Sequence, residues 1–196
     1  MSIICQNDKI NIRRMSDCVK DYMLMSKWLS NPIVLEYYEG RDNPFDLDKT
    51  IEHYGPRTRG EDYIIPCIIE YDEKAIGYVQ YYRADIENPI LDEYPVSEKI
   101  GNRKFINPYG IDLFIGETDY WNKGIGTIIV QLLVNYLLQN DTADIIFIDP
   151  QTWNKRAIGC YEKCGFKPIV ILEKKELHEG AYRDNLIMAI TNDKYI

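Results

Sequence analysis

Residues 109–127 read YGIDLFIGETDYWNKGIGT. Apolar residues dominate 109–115 and predict a strand. Glycines at 116, 124 and 126 predict a loop, and the apolar run after Gly124 predicts a helix over about 125–139. Glycines two apart at a helix start let backbone N–H groups approach an anion without hindrance from Cβ, and the helix N-terminus favours negative charge. A G-x-G alone also fits an ordinary tight turn. The stretch has neither the full dinucleotide fingerprint nor the Lys-Ser/Thr of a P-loop, so it points away from both of those nucleotide folds.

Working outward, 145–149 (IIFID) predict a buried strand stopped by Pro150, and 154–166 (NKRAIGCYEKCGF) a short helix capped by Asn154 and ended by Gly165. The helix over 125–139 is expected to bury Ile128, Ile129, Leu132, Leu133, Tyr136 and Leu137. Upstream, 9–15 alternate as a first strand. A helix is then expected from an Asp17 cap with an apolar stripe of Val19, Tyr22, Met23, Leu24, Trp28 and Leu29, broken by Asn31-Pro32. A second helix is expected over 47–54, from Asp46 to a stop at Gly55-Pro56, followed by a hairpin of 63–71 and 74–82 around Asp72-Glu73. Residues 83–107 form a long polar excursion, in which Asp85, Glu87, Asp92, Glu93 and Glu98 could steer a polycation or simply be solvated. Strand-like runs at 168–173 and 182–190 close the chain. This order predicts an α/β (α+β) domain on one sheet, and with no repeat or linker visible, residues 1–196 read as one domain.

Composition narrows the function. With 196 residues, 45% of them hydrophobic, the chain can bury a core without disulfides or metal. A formal charge of −8 disfavours nucleic acid as a partner and suits a cationic small molecule, although acidity also serves solubility. The N-terminus lacks a signal-peptide pattern, and no apolar run reaches the ~18 residues of a membrane-spanning helix. Five scattered cysteines without a C-x-x-C pair, and only two histidines, argue against a metal site and suit the cytosol.

The two motifs together resemble the GNAT superfamily of acetyl-CoA-dependent N-acetyltransferases. Residues 121–126 resemble its pyrophosphate loop, Q/R-x-x-G-x-G/A, and 154–166 its N-x-x-A-x-x-x-Y-x-x-x-G-F helix. Trp121 departs from the usual Gln or Arg; the backbone supplies most contacts in such a loop, and Lys123 stands nearby to compensate. Trp28-Leu29 with Leu35-Glu36-Tyr37-Tyr38, Ile76-Gly77-Tyr78-Val79-Gln80, Gly110-Ile111-Asp112, Asp149-Pro150, Arg156-Ala157-Ile158 and Glu176-Leu177-His178-Glu179-Gly180 resemble the aminoglycoside 6′-N-acetyltransferases. That likeness runs from about residue 10 to 190, so no kinase half of the bifunctional members is expected. It implies the GNAT fold, a single mixed, mostly antiparallel central sheet flanked by helices, with strands splayed at the acetyl-CoA site. It also implies acetyl-CoA as cosubstrate, no metal, a cationic aminoglycoside as partner, no membrane, a cytoplasmic location, and a monomer or weak homodimer.

Asp112 falls mid-strand between apolar residues, where an unpaired carboxylate is costly, and alternation turns it away from Ile111 and Leu113. A structural ion pair would also explain it; the resemblance implies a base that takes the proton of the substrate ammonium. Tyr161 reads as a core residue on a helix face, and the resemblance makes it the proton donor to the departing thiolate. Asn154 is both a helix cap and, by resemblance, a cofactor contact. The resemblance adds Phe114, Ile115, Trp121, Lys123, Gly124, Ile125, Gly126, Thr127 and Ala157 for the cofactor, and Glu36, Tyr37, Gln80, Tyr82, Asp112 and Asp149 for the substrate. His178 stays unassigned, and without a nearby histidine neither Cys160 nor Cys164 suggests a covalent nucleophile. Direct attack in a ternary complex, with backbone N–H groups near the splayed strand holding the oxyanion, follows from that reading. Acetylation of another amine (a protein N-terminus, a polyamine or a siderophore precursor) and a non-catalytic acyl-CoA-binding domain are the alternatives.

Overall fold

A computed structural model describes residues 2–84, 106–140 and 142–191. The five acids of the excursion, Asp85, Glu87, Asp92, Glu93 and Glu98, lie outside the described residues. Among the described residues, eight strands form one sheet: β1 (Ile3–Gln6), β2 (Ile10–Arg14), β3 (Ile65–Tyr71), β4 (Lys74–Arg83), β5 (Pro108–Ile115), β6 (Ile145–Ile148), β7 (Lys167–His178) and β8 (Ala181–Thr191). Their order is β1-β2-β3-β4-β5-β6-β8-β7. Neighbours are antiparallel except β5 and β6, which run parallel.

Period-two alternation sorts the sheet into two cores. Cys67, Ile69, Val79, Tyr81 and Ile111 face one cluster, with the helix α4 (Ile125–Gln139) and Tyr161 from α5 (Lys155–Lys163). Ile68, Tyr78 and Phe114 face the other, with α1 (Val19–Trp28), α2 (Pro32–Leu35) and α3 (Leu47–Arg59). Gln80 and Asp112 share the parity of Tyr78 and Phe114, so they belong to the α1–α3 side. The β3–β4 hairpin turns at Asp72-Glu73 as expected, both with positive φ (45° and 63°).

Several local expectations are corrected. β1 precedes the strand expected to be first. Asp17 does not cap α1; Cys18 occupies the cap position without a side-chain bond, and the Asp17 carboxylate accepts from the Tyr22 hydroxyl at 2.5 Å. The expected stripe is rotated too: Val19 and Met23 are 60% and 59% exposed, while Met25 and Asp21 are fully buried. The cause is an ion pair. The Arg13 guanidinium donates bidentately to Asp21 at 2.7 and 2.8 Å and to Glu70 at 2.7 Å, which holds Asp21 against the sheet. α3 does not stop at Gly55-Pro56; it runs through Pro56 to Arg59 and ends at Gly60, φ 75°. Buried Tyr54 and a Glu61 N–H to Pro56 carbonyl bond hold this last turn despite the lost donor. α4 keeps its expected bounds, but Ile128 is exposed, and Val130 and Val134 are buried instead. A helix apolar on nearly every side does not reveal its inward stripe by periodicity.

Candidate active site

β5 pairs with β4 over its whole length but with β6 only from Pro108 to Gly110. Beyond Gly110 the two parallel strands part, and a cleft of about 970 Å³ opens there, near the upper end of the range for small-molecule sites. β4 and α2 wall one side of it, α4 and α5 another, and the β7–β8 hairpin a third.

On the α4 side, Gly124 is the N-cap, with φ 75° and no side-chain cap bond. The first-turn N–H groups of Ile125, Gly126 and Thr127 are therefore uncapped, the arrangement that receives an anion at a helix N-terminus. A Cβ at Gly126 would meet only Cys160 Sγ at 3.6 Å and Ile115 Cδ1 at 3.9 Å. Trp121 braces this loop: its indole donates to the Ile115 carbonyl at 2.7 Å, and the Arg156 guanidinium lies 3.9 Å from its ring and 4.5 Å from that of Tyr37. Asn154 caps α5, accepting from the Ala157 N–H at 3.2 Å. Cys160 Sγ lies 3.5 Å from the Thr127 hydroxyl, and its neighbours Cys164 and Thr127 hold its thiol below the ordinary cysteine range, against burial.

The opposite wall is acidic. Asp112 Oδ2 accepts from Gln80 Nε2 at 2.8 Å. Burial pushes its carboxyl above the usual carboxylate range, against the opposing effect of hydrogen bonds from Gln80 and Tyr82 and the charge of Arg57. Asp149, just past β6, is pushed up to about 7 by burial first and then by the Asp112 charge. Asn185 Nδ2 bridges the Asp149 carbonyl at 3.1 Å, the Asp149 carboxylate at 3.4 Å and Glu176 at 3.1 Å. Glu39, raised by burial, lies in a turn with φ 67° and lines the same cleft. Next to it, Arg41 holds Glu179 at the tip of the β7–β8 hairpin through bonds of 2.5 and 2.6 Å. Tyr161 lines the cleft from α5, and burial raises its hydroxyl far above the ordinary phenol range, so it stays protonated.

Of the residues expected from sequence, Tyr37, Gln80, Asp112, Phe114, Ile115, Trp121, Gly124, Gly126, Thr127, Asp149, Asn154, Ala157 and Tyr161 line the cleft. Four do not. Glu36 follows α2 outside the wall, Lys123 is exposed at the loop tip, Tyr82 packs over Gly110 and hydrogen-bonds Asp112 without lining the wall, and the Ile125 side chain is buried in the core, leaving only its N–H for a ligand. Glu39 and Asn185 were not anticipated as lining residues, and Arg156 and Glu176 only as parts of resembling stretches. A hairpin much longer than the expected strand runs, 167–178 with 181–191, is what brings Glu176 and Asn185 in. His178 is buried with an unpartnered Nδ1, beside Trp153.

A sheet split beside an uncapped helix N-terminus, with carboxylates across the gap, puts an anion-binding end and an acidic wall in one cleft. Residues 17–173 match the acetyltransferase (GNAT) domain, and the chain belongs to that family. It is 29% identical to the aminoglycoside N(6′)-acetyltransferase type 1 of Klebsiella pneumoniae over 161 residues, 82% of this chain and 75% of that protein. Its fold is similar to that of AAC(6′)-Ib in complex with ribostamycin and coenzyme A, with a TM-score of 0.75, 25% identity and 96% of each chain covered. A spermidine N-acetyltransferase from Vibrio cholerae, in complex with CoA and spermine, shares the fold at 18% identity and a TM-score of 0.73, over 96% of this chain and 99% of that one.

Proposed function

We propose that this enzyme transfers acetyl from acetyl-CoA to the 6′-amino group of aminoglycosides and so confers resistance to them. The observation that carries this reading is the concentration of Asp112, Asp149, Glu176 and Glu39 in one cleft opposite the uncapped N-terminus of α4. A polycation is held by several carboxylates at once, whereas a simple amine needs one. The names of the relatives at 25–29% identity support the same choice.

The residues present fit acetyl-CoA. The N–H groups of 125–127 would take its pyrophosphate, Asn154 and Ala157 lie along the cleft toward Tyr161, and the edge of β5 beyond Gly110 has no strand beside it. Acetyl-CoA supplies the acetyl thioester. Asp112 holds the substrate ammonium and takes its proton, since an amine is nucleophilic only when neutral; its raised carboxyl is better matched to that task near neutral pH than an ordinary one. Tyr161 keeps a proton available for the departing thiolate. Asp149 binds a neighbouring ammonium. The five cysteines, all free, and the chain's acidity support a cytoplasmic enzyme. We read it as one domain acting as a monomer or weak homodimer, without nucleic acid or membrane as partner.

The test is thiol release from acetyl-CoA with kanamycin A, ribostamycin, spermidine and an N-terminal peptide, with the product analysed by NMR. Acetyl at the 6′ nitrogen of kanamycin, with spermidine and peptide turned over slowly or not at all, is expected. Preference for spermidine or the peptide refutes the substrate class.

A further inference from the structure

We propose that Arg57 is a positioning residue for the base Asp112, acting through the carboxamide of Gln80. The inference rests on Asp112 being the base.

The geometry is a three-member chain. Arg57 Nη1 donates to Gln80 Oε1 at 2.9 Å, the Tyr78 hydroxyl donates to the same oxygen at 2.8 Å, and Gln80 Nε2 donates to Asp112 Oδ2 at 2.8 Å. Gln80 is only 7% exposed, and it faces Asp112 directly in the β4–β5 register. Two donors on its oxygen leave the amide one orientation. A flip would set its carbonyl against the carboxylate and its N–H₂ against a guanidinium and a hydroxyl. Arg57 therefore polarises an amide whose positive end lies on Asp112, and its own position is fixed by Asp62 at 3.4 Å and by the Tyr54 ring at 5.4 Å. This alters the role of Gln80, which the resemblance assigns to substrate: one N–H is all it has left to offer a ligand.

The other groups around Asp112 press in different directions. Tyr82 on β4 hydrogen-bonds the carboxylate and favours its charge. Glu176 on β7 and Asp149 after β6 repel it, and Glu39 lies in the same cleft. Tyr38, Tyr54 on α3, Tyr78 on β4 and Tyr161 on α5 surround it as neutral phenols. Lys175 acts on Asp149, and Lys155, Arg156 and Lys163 line the cleft from the α5 side, but Arg57 is the cation that favours the charge of Asp112 itself; without it Asp112 would share the cleft with three other carboxylates and lose that support.

The test compares Arg57→Gln, Arg57→Lys, Gln80→Leu and the double variant Arg57→Gln/Gln80→Leu in the full chain. The pH profile of kcat/KM with kanamycin, thermal unfolding and carbon-13 titration of the Asp112 carboxyl are measured. Loss of Arg57 disfavours the carboxylate, so the acid limb moves to higher pH. In Arg57→Gln, kcat/KM at pH 6 is expected to fall roughly tenfold and at pH 8.5 less than about threefold, with the carboxyl titration moving the same way. Arg57→Lys keeps the charge and shifts the limb less. In the Gln80→Leu background, adding Arg57→Gln costs less than it does alone, because the route is already cut. An unmoved limb and titration in folded Arg57→Gln, or fully additive effects, overturns the proposal. If Arg57→Gln does not fold, an unmoved limb in both Arg57→Lys and Gln80→Leu does so. Asp112→Asn separates the two readings: wild-type turnover there removes the base itself, whereas an inactive Asp112→Asn with an unmoved Arg57→Gln limb removes only the positioning role.

Discussion

Asp149→Asn should stabilise the ligand-free enzyme while weakening its hold on a polycation. Burial and the charge of Asp112 lift this carboxyl from its ordinary 3.8 to about 7. At 1.36 kcal/mol per unit, about three units set a ceiling of ~4 kcal/mol on the cost of the ionised form. The group borders an open cleft, where solvent screening reduces the cost to about 2 kcal/mol. In a chain of this size that corresponds to a rise in Tm of roughly 4–8 °C on substitution. The sign follows from proton binding. Between about pH 4 and 7 the folded wild type holds a proton that the unfolded chain has released, so its stability falls as pH rises through that window. The Asn variant has no such loss. Its advantage should be full at pH 8 and fade toward pH 4. Asparagine can still accept from Asn185, so the bridge to the hairpin survives. Differential scanning fluorimetry of the apo protein at pH 4.5, 6 and 8, repeated with kanamycin, reads both halves: a higher apo Tm and a smaller ligand-induced increment. A lower Tm at pH 8, or a gain of equal size at pH 4.5, would refute the reasoning that Asp149 is a carboxylate kept under electrostatic stress for binding.

Asp112→Asn should lower turnover at saturating substrate by roughly 10²–10⁴; wild-type turnover of kanamycin across the pH range would shift the base assignment to Asp149. Tyr161→Phe preserves packing against Phe166, 6.1 Å between ring centroids, and should cost turnover only roughly tenfold or less, because a thiolate leaves readily; circular dichroism and kcat together check it. Gly126→Val should raise the apparent constant for acetyl-CoA with the fold intact, since the nearest neighbour of a new Cβ is 3.6 Å away, and an unchanged constant would remove the phosphate cradle. Gly124→Val is expected to lose stability as well, because φ there is 75°. Arg13→Met strands the fully buried Asp21 and should cost about 3–5 kcal/mol in urea unfolding; a loss near zero would mean that the pair does not hold α1 in place.

What could be read without coordinates was whatever the local chain imposes on itself. Gly124-x-Gly126 before an apolar run pointed to a helix over about 125–139, and α4 occupies Ile125–Gln139, because a positive-φ glycine followed by strong helix formers leaves few alternatives. Asn154 and Gly165 bracket α5 for the same kind of reason, and the Asp72-Glu73 turn defined the β3–β4 hairpin. Asp112 stood out because a carboxylate inside an apolar strand demands an explanation. Tertiary structure decided the rest. Asp21 on α1 pairs with Arg13 on β2, and this rotates α1 away from the face its apolar residues suggest. Pro56 does not end α3, since packing of Tyr54 and the bonds of its last turn outweigh one missing donor, and only that extra turn carries Arg57 to Gln80. The long β7–β8 hairpin delivers Glu176 and Asn185, nine residues apart on its two strands, to Asp149 at the end of β6, a meeting that no local pattern encodes. Helix and turn signals are short-range backbone preferences and so are written in consecutive residues. The charge balance of the cleft depends on which distant side chains share one buried volume, and only the folded chain settles that.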